Sequence, residues 1–262
     1  MKRIRTQLDL ASFPAPVARL LDGAALYDSS CSQEARVTFV ERDGGLFLKT
    51  AAAGTLQAEA AMTAYFHSLG LSAEPLLYVT ADGADYLITR RVPGENCTDP
   101  LYLSDPKRLC DTTATLLRTL HETPAASCPV DRIPSFTARV RKGFDGSCYE
   151  PDLFAGLWGF GSFCEAKSAA EDGLAALKAE VLIHGDYCLP NVLLQDWQFS
   201  GLIDLGAGGL GDRHMDLLWG AWTLNFNLKT TAFTERFLDA YGRDRIEPDK
   251  LRALAAMEMI GG

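Results

Sequence analysis

Apolar and polar side chains alternate in the first third of the chain. Residues 37–41 (Val-Thr-Phe-Val-Glu) and 46–50 (Leu-Phe-Leu-Lys-Thr) are short runs rich in β-branched and aromatic residues, which suit the pleated, half-buried surface of a strand. Between them Asp43, Gly44 and Gly45 tolerate the positive φ of a tight hairpin. The period then changes. From about Thr55 to Leu69, Glu59, Met62, Phe66 and Leu69 fall at i, i+3, i+7 and i+10, which predicts a helix with a glutamate on its inward apolar face. Residues 85–89 (Asp-Tyr-Leu-Ile-Thr) read as another strand, and Pro93-Gly94 places a linker near residues 90–95.

Beyond the linker the period is helical. Leu109, Thr113, Leu116, Leu117 and Leu120 predict a helix over 105–121, ended by Pro124. Segments near 135–145, 151–178 and 232–260 read similarly. The stretch 181–204 interrupts them. Val181 to Ile183 form a short apolar strand leading into the polar loop 184–191, and residues 192–195 and 200–203 read as strands around a turn at 196–199. Symmetric pairing, with 195 opposite 200 and 192 opposite 203, sets Asn191 facing Asp204, and Asp186 lies five residues before Asn191. Opposed backbones in such a ladder are roughly 5 Å apart. A carboxamide and two carboxylates then converge, an oxygen-only set that suits Mg²⁺ with phosphate oxygens as its further ligands.

Composition narrows the class. With 262 residues, 47% of them hydrophobic and 23% charged, the chain can bury a core too large for a small module, as one large domain or two lobes sharing a cleft. No repeat suggests a solenoid. Seven scattered cysteines (31, 97, 110, 128, 148, 164 and 188) form no close pair and read as reduced thiols. No apolar run reaches a membrane span of roughly 18 residues, and the start lacks a secretory apolar core, so a cytoplasmic protein with no membrane partner is expected. A formal charge of −9 argues against nucleic acid. Residues 1–92 hold 9 basic and 10 acidic side chains, leaving 16 and 24 for residues 93–262, a net of −8 that either attracts a cationic small molecule or simply makes a soluble, self-repelling surface, and composition does not choose between them.

His184-Gly185-Asp186-x₄-Asn191, followed by Ile203-Asp204-Leu205-Gly206, resembles the catalytic loop and metal motif of the protein-kinase-like fold in its small-molecule branch. The longer string from Phe199 through Asp204, Gly209, Asp212, Asp216 and Leu217 is similar specifically to the aminoglycoside 3′-phosphotransferases. The resemblance covers nearly the whole chain. It implies an α+β, bilobal protein-kinase-like fold, with an N-terminal antiparallel sheet lobe carrying one helix over 1–92 and a larger, mostly helical C-terminal lobe over 93–262. It also implies transfer of the γ-phosphate of ATP, with GTP as an open alternative, to a hydroxyl of an aminoglycoside, by a monomer or weak dimer.

In that resemblance Asp186 accepts or orients the hydroxyl proton, while Asn191 and Asp204 hold Mg²⁺. Lys49 serves the phosphates and Glu59 holds Lys49. The residue pattern agrees, because an unpaired carboxylate on an inward helix face costs on the order of several kcal/mol. Ser30 and Ser32 correspond to the loop that covers the nucleotide. The Arg90 carbonyl and Val92 amide would bond the purine, with Phe47 above and Ile203 below it, although Phe47 and Ile203 read equally well as core. Carboxylates for a cationic acceptor fall at Asp145, Glu150, Asp152 and Glu258 and at the terminal carboxylate of Gly262. The tail has one acidic side chain where such enzymes often show two, which puts the drug specificity in doubt. His184 is expected to brace the loop, Asp212 to cap the next helix and Asp216 to serve as scaffolding.

Rival readings exist. Gly206-x-Gly208-x-x-Gly211 matches a dinucleotide-binding turn, but no strand ending in an acid follows about 20 residues on. Gly44-Gly45-x₃-Lys49-Thr50 lacks the glycine that precedes a phosphate-loop lysine. A pseudokinase needs no proton acceptor such as Asp186. A kinase of another hydroxylated metabolite, an amino alcohol or a sugar, is the runner-up.

Overall fold

A computed structural model describes residues 4–31 and 35–261. Contacts divide the chain into two units, one of residues up to Gly94 with Ser200–Gly206, the other of Glu95–Phe199 with Ala207 onward. The uninterrupted division expected at residues 92 and 93 is therefore corrected at 200–206. Those residues join the first unit because the Leu202 N–H bonds the Leu71 carbonyl at 2.8 Å and the Asp204 carboxylate bonds Lys49.

Strands β1 (Ile4–Thr6), β2 (Ala25–Asp28), β3 (Arg36–Glu41), β4 (Leu46–Ala52), β5 (Pro75–Ala81) and β6 (Ala84–Arg90) of the first unit form one antiparallel sheet in the order β1-β2-β3-β4-β6-β5. The turn between β3 and β4 holds Asp43, Gly44 and Gly45 at positive φ, and a Cβ on Gly45 would stand 2.8 Å from the Phe39 ring. Only glycine fits there.

Helix α1 (Ala15–Leu21) packs Val17 and Leu21 against Leu46, Leu48, Val40 and Ile88 on one sheet face. Helix α2 (Gln57–Ser68) begins on the other, where Leu56 and Ala60 meet Ala51 and Leu87. The one helix expected for this lobe thus becomes two. The seven residues of α1 make barely two turns, too few for a helical period to stand out. Because strand side chains alternate, Lys49 shares the α2 face with Ala51. A buried carboxylate, Asp85 on β6, accepts from the Leu56 N–H at 2.9 Å and the Thr80 hydroxyl at 2.6 Å, which fixes where α2 starts.

The second unit runs β7 (Glu95–Asn96), α3 (Pro100–Leu103), α4 (Pro106–Glu122), α5 (Ile133–Lys142), α6 (Phe163–Leu174), β8 (Val181–Ile183), β9 (Val192–Gln195), β10 (Gln198–Leu202, shared with the first unit), β11 (Gly209–Gly211), α7 (Arg213–Leu228), α8 (Thr234–Tyr241) and α9 (Pro248–Gly261). The helix expected over 151–178 begins only at Phe163, where the Ser162 hydroxyl accepts the Glu165 N–H. That over 232–260 is broken at Gly242, whose φ is 114°.

The turn joining β9 and β10 differs from expectation. Asp196 and Trp197 carry φ of 51° and 65°, and β10 resumes at Gln198. The connection has two residues with positive φ rather than four, so the register with 195 opposite 200 is overturned. Asn191 ends a 3₁₀ turn before β9, and Asp204 lies past the end of β10. The glycines of the dinucleotide-like string serve packing. Gly209–Gly211 pairs as β11 with β8, and a Cβ on Gly211 would meet Ile183 at 2.4 Å.

Candidate active site

In the first unit, β4 and α2 bring a cation and a carboxylate together. Lys49 Nζ donates to Glu59 Oε1 at 2.9 Å and Oε2 at 2.7 Å, and to Asp204 Oδ1 at 2.7 Å. Glu59 is buried, whereas the Asp204 side chain is 53% exposed. Burial pulls the Lys49 ammonium toward deprotonation, but Asp204 and Glu59 outweigh it and its pKa rises above the ordinary value. Burial pushes Glu59 up, which Lys49 only partly offsets. Asp204 sits at φ 60°, a conformation uncommon for a residue with a side chain, and a Cβ on Gly206 would lie 3.4 Å from Glu59 Oε2.

In the second unit the loop after β8 is held from beneath. The Asp216 carboxylate, fully buried on α7, accepts from the His184 N–H and the Gly185 N–H, each at 2.7 Å. Gly185 has φ 81°, and a Cβ there would fall 1.9 Å from the Ala207 carbonyl oxygen. Only glycine turns this corner. Asn191 Nδ2 donates to Asp186 Oδ2 at 2.9 Å and to its carbonyl at 3.0 Å, fixing the carboxylate and leaving the Asn191 amide oxygen for another partner. The buried His184 ring accepts the Asp186 N–H through Nδ1 at 3.3 Å. Thr223, also on α7, accepts the Leu189 N–H at 3.1 Å.

Of the remaining residues singled out from sequence, Phe47 is half-buried on the Lys49 side of β4, its ring centroid 5.2 Å from that of Phe39. Arg90 ends β6 with its guanidinium on Glu74 at 2.6 Å, and Val92 is buried against Gly201. Ile203, half-buried, directly precedes Asp204. The Ser30 hydroxyl accepts the Val37 N–H at 3.0 Å and so holds its own loop together. Ser32 lies outside the described residues. Its neighbour Ser29, not singled out, is buried with a hydroxyl that has no hydrogen-bond partner among the described residues. Sequence offered no signal to choose among these serines.

The expected acidic rim is thinner than the sequence suggested. Glu258 is buried, bonded to Arg139 at 2.7 Å and to the Trp219 indole N–H at 3.3 Å, so its carboxylate is spent within the unit. Asp145 is exposed, and hydrogen bonds from the Ser147 side chain and then its N–H lower its pKa. Glu150 is exposed, with its backbone N–H on the Met259 carbonyl. Gly262 lies outside the described residues. Asp152 lines a cavity of about 710 Å³ whose walls include Trp222, Asn225, Phe226 and Lys229. The periodicity of α7 gave no hint of that wall. Phe226 is 55% exposed and stacks on Trp222 with centroids 5.0 Å apart.

All seven cysteines are free, and burial pushes the Cys97 and Cys110 thiols up to about 12, so they stay protonated. No group of three His, Cys, Asp or Glu side chains gathers as a metal site among the described residues.

Solved structures place this architecture. An aminoglycoside-3′-phosphotransferase of type VIII superposes with a TM-score of 0.71 at 25% identity, covering 91% of this chain and 94% of that one. An aminoglycoside phosphotransferase of Streptomyces rimosus, solved with ADP and streptomycin, shares the fold with a TM-score of 0.69 at 21% identity over 87% of this chain and 90% of its own. The class is that of the kinase-like small-molecule phosphotransferases. The model of the Phosphotransferase enzyme family matches residues 29–254, and the chain belongs to that family. It is 41% identical, over all of its length and 99% of the relative's, to a probable aminoglycoside 3′-phosphotransferase of Lactococcus lactis. Against an aminoglycoside 3′-phosphotransferase of Streptomyces fradiae it is 31% identical over 75% of its length and 76% of the relative's.

Proposed function

We propose that this enzyme transfers the γ-phosphate of ATP to a hydroxyl of an aminoglycoside, with the regiochemistry of the 3′ type, as a cytoplasmic monomer or weak dimer. The observation that carries the reading is Lys49, held by a buried Glu59 and shared with an exposed Asp204. An ammonium so placed is oriented for a polyanion, because its exposed partner can turn to other ligands while its buried one cannot. The names of the similar proteins supply the acceptor class.

Asp186 accepts or orients the proton of the attacking hydroxyl. Asn191 keeps that carboxylate aimed through the bond from its Nδ2. The transition state of phosphoryl transfer is loose, so holding the reactants in line matters more than strong deprotonation. The remaining oxygens fit a hard cation: Asp204 has one carboxylate oxygen beyond the one on Lys49, and Asn191 has its amide oxygen. Mg²⁺ held there would neutralise charge on the phosphates. Lys49 and the Ser29 hydroxyl serve the phosphates, and Arg90, Val92, Phe47 and Ile203 serve the base. The cavity beside Asp152 receives an acceptor ring, with an ammonium on Asp152 and sugar C–H groups on the Trp222 and Phe226 faces.

Purified protein with Mg²⁺ and ATP, then GTP, should phosphorylate kanamycin or neomycin and leave choline and simple sugars unchanged. Because Glu258 is committed to Arg139, a kinase of another hydroxylated metabolite is the second reading, and turnover of choline or a sugar alone would select it. Asp186→Ala should lower kcat by about 10²–10⁴ while nucleotide still binds by calorimetry. Transfer near the wild-type rate would remove Asp186 from its role.

A further inference from the structure

The walls of the cavity beside Asp152 hold one acid and one base, and the base, Lys229, is already engaged. The wall it touches is firmly built. The Trp222 indole N–H donates to the Leu153 carbonyl at 2.7 Å, so only ring surface of Trp222 is left for a ligand, and Asn225 Nδ2 donates to the Thr234 hydroxyl at 3.0 Å. Phe226 lies on Trp222 with the two ring planes 18° from parallel. The Lys229 ammonium stands over Phe226, 4.2 Å from the ring centroid. At that distance the electron-rich face of an aromatic ring attracts a cation.

Lys229 ends α7 at φ 56°, a position where glycine is the usual residue. A side chain holds that conformation only under backbone strain, and such strain gathers at ligand sites. The residue is exposed and its stem flexible, so the ammonium is free to leave for water. Anything laid on the Phe226 face must first evict it. A hydroxyl edge forfeits the attraction between cation and ring, whereas an ammonium edge repeats it. Eviction therefore costs a cationic sugar little and a neutral sugar the whole contact.

We propose that Phe226 is an ammonium subsite of this cavity and that Lys229 is its built-in competitor: in the free protein the lysine occupies the place that an ammonium of the acceptor takes, so a neutral sugar finds the face closed. The inference deepens the function proposed above and rests on it for the use of the cavity by the acceptor.

The test is a double-mutant cycle in the full chain, with neomycin as the probe and its Kd measured by calorimetry without nucleotide. Lys229→Met keeps the stem and removes the charge, and Phe226→Leu removes the ring face. Both side chains are exposed, so neither change threatens the fold. Lys229→Met should lower the Kd threefold or more, and Phe226→Leu should raise it by a similar factor. In the Phe226→Leu background, Lys229→Met should change the Kd by less than twofold, because the two residues act on one contact. By NMR, the Lys229 ε-methylene protons, shifted upfield by the Phe226 ring in the free protein, should return to their ordinary position when neomycin binds. An unchanged Kd in Lys229→Met, an equal gain in both backgrounds, which is plain charge repulsion, or methylene signals that neomycin leaves in place would overturn the proposal. If the cycle behaves as expected but the wild-type protein phosphorylates no aminoglycoside, the proposed function fails and the ammonium subsite stands. Binding of neomycin to none of the four proteins overturns the subsite, whatever the phosphorylation assay shows.

Discussion

Lys49 and Glu258 show what a single residue discloses and what it hides. The resemblance implied the pair Lys49 and Glu59, and the residue pattern agreed with it before any coordinates, because a glutamate on the inward face of an amphipathic helix demands a cation. Glu258 was equally visible as a carboxylate, but nothing near it in sequence announced Arg139, which reaches it from α5. Contacts between residues 119 positions apart leave no local pattern. Glu258 therefore belongs to stability. Glu258→Gln weakens a charge-assisted bond between a buried carboxylate and a partly exposed guanidinium, a loss of about 1–3 kcal/mol. Thermal unfolding should show a Tm lower by several degrees, with the KM for a cationic acceptor unchanged. A raised acceptor KM at unchanged Tm would return Glu258 to the substrate rim.

Elements with strong periods were readable, and their joints were not. The hairpin of β3 and β4, helix α2 and helix α4 lie within two residues of where the pattern put them. The turn after β9 was misjudged because Trp197 stands at positive φ, where sequence gives a bulky residue no credit. The corner at Gly185 was readable in type but not in severity. Gly185→Ala forces both a disfavoured φ and a collision with the Ala207 carbonyl. It should cost at least about 2 kcal/mol in denaturant unfolding, or displace the loop and lower kcat with little change in stability. A variant with wild-type stability and kcat would show that the backbone relaxes freely. The start of α2 makes a prediction in pH. Burial works to raise Asp85, but its bonds from Thr80 and Leu56 prevail and its folded pKa lies below the ordinary carboxylate value. The unfolded chain then binds more protons, so this stabilisation is complete above the ordinary value and drains away as pH falls through the lowered one. The Tm gap between wild type and Asp85→Asn should be wide near pH 7 and narrow toward about pH 3. A constant gap would mean that the charge of Asp85 contributes nothing.

Over the whole molecule, the charge distribution is the property that sequence gives directly and side-chain geometry refines. The net of −8 after residue 92 can either attract a cationic acceptor or merely keep the protein soluble. The structure removes Glu258 from the available carboxylates, so attraction falls to exposed groups such as Asp145, Glu150 and Asp152. Exposed charges act through solvent and are screened over a Debye length of about 10 Å at 0.1 M salt. The bonds of Lys49 are of another kind: they are shorter than 3 Å, and Glu59 is buried, so salt weakens them little. The two substrates should therefore answer ionic strength differently. Raising monovalent salt from about 0.05 M to about 0.5 M should raise the KM for a polycationic aminoglycoside severalfold and that for ATP by less than about twofold, with kcat nearly constant. The comparison is internal, because any general effect of salt on folding or metal binding reaches both substrates through one kcat. A flat acceptor KM would mean that the acidic surface, Asp152 included, plays no part in drawing the acceptor in, and that recognition rests on the aromatic cavity walls of Trp222 and Phe226.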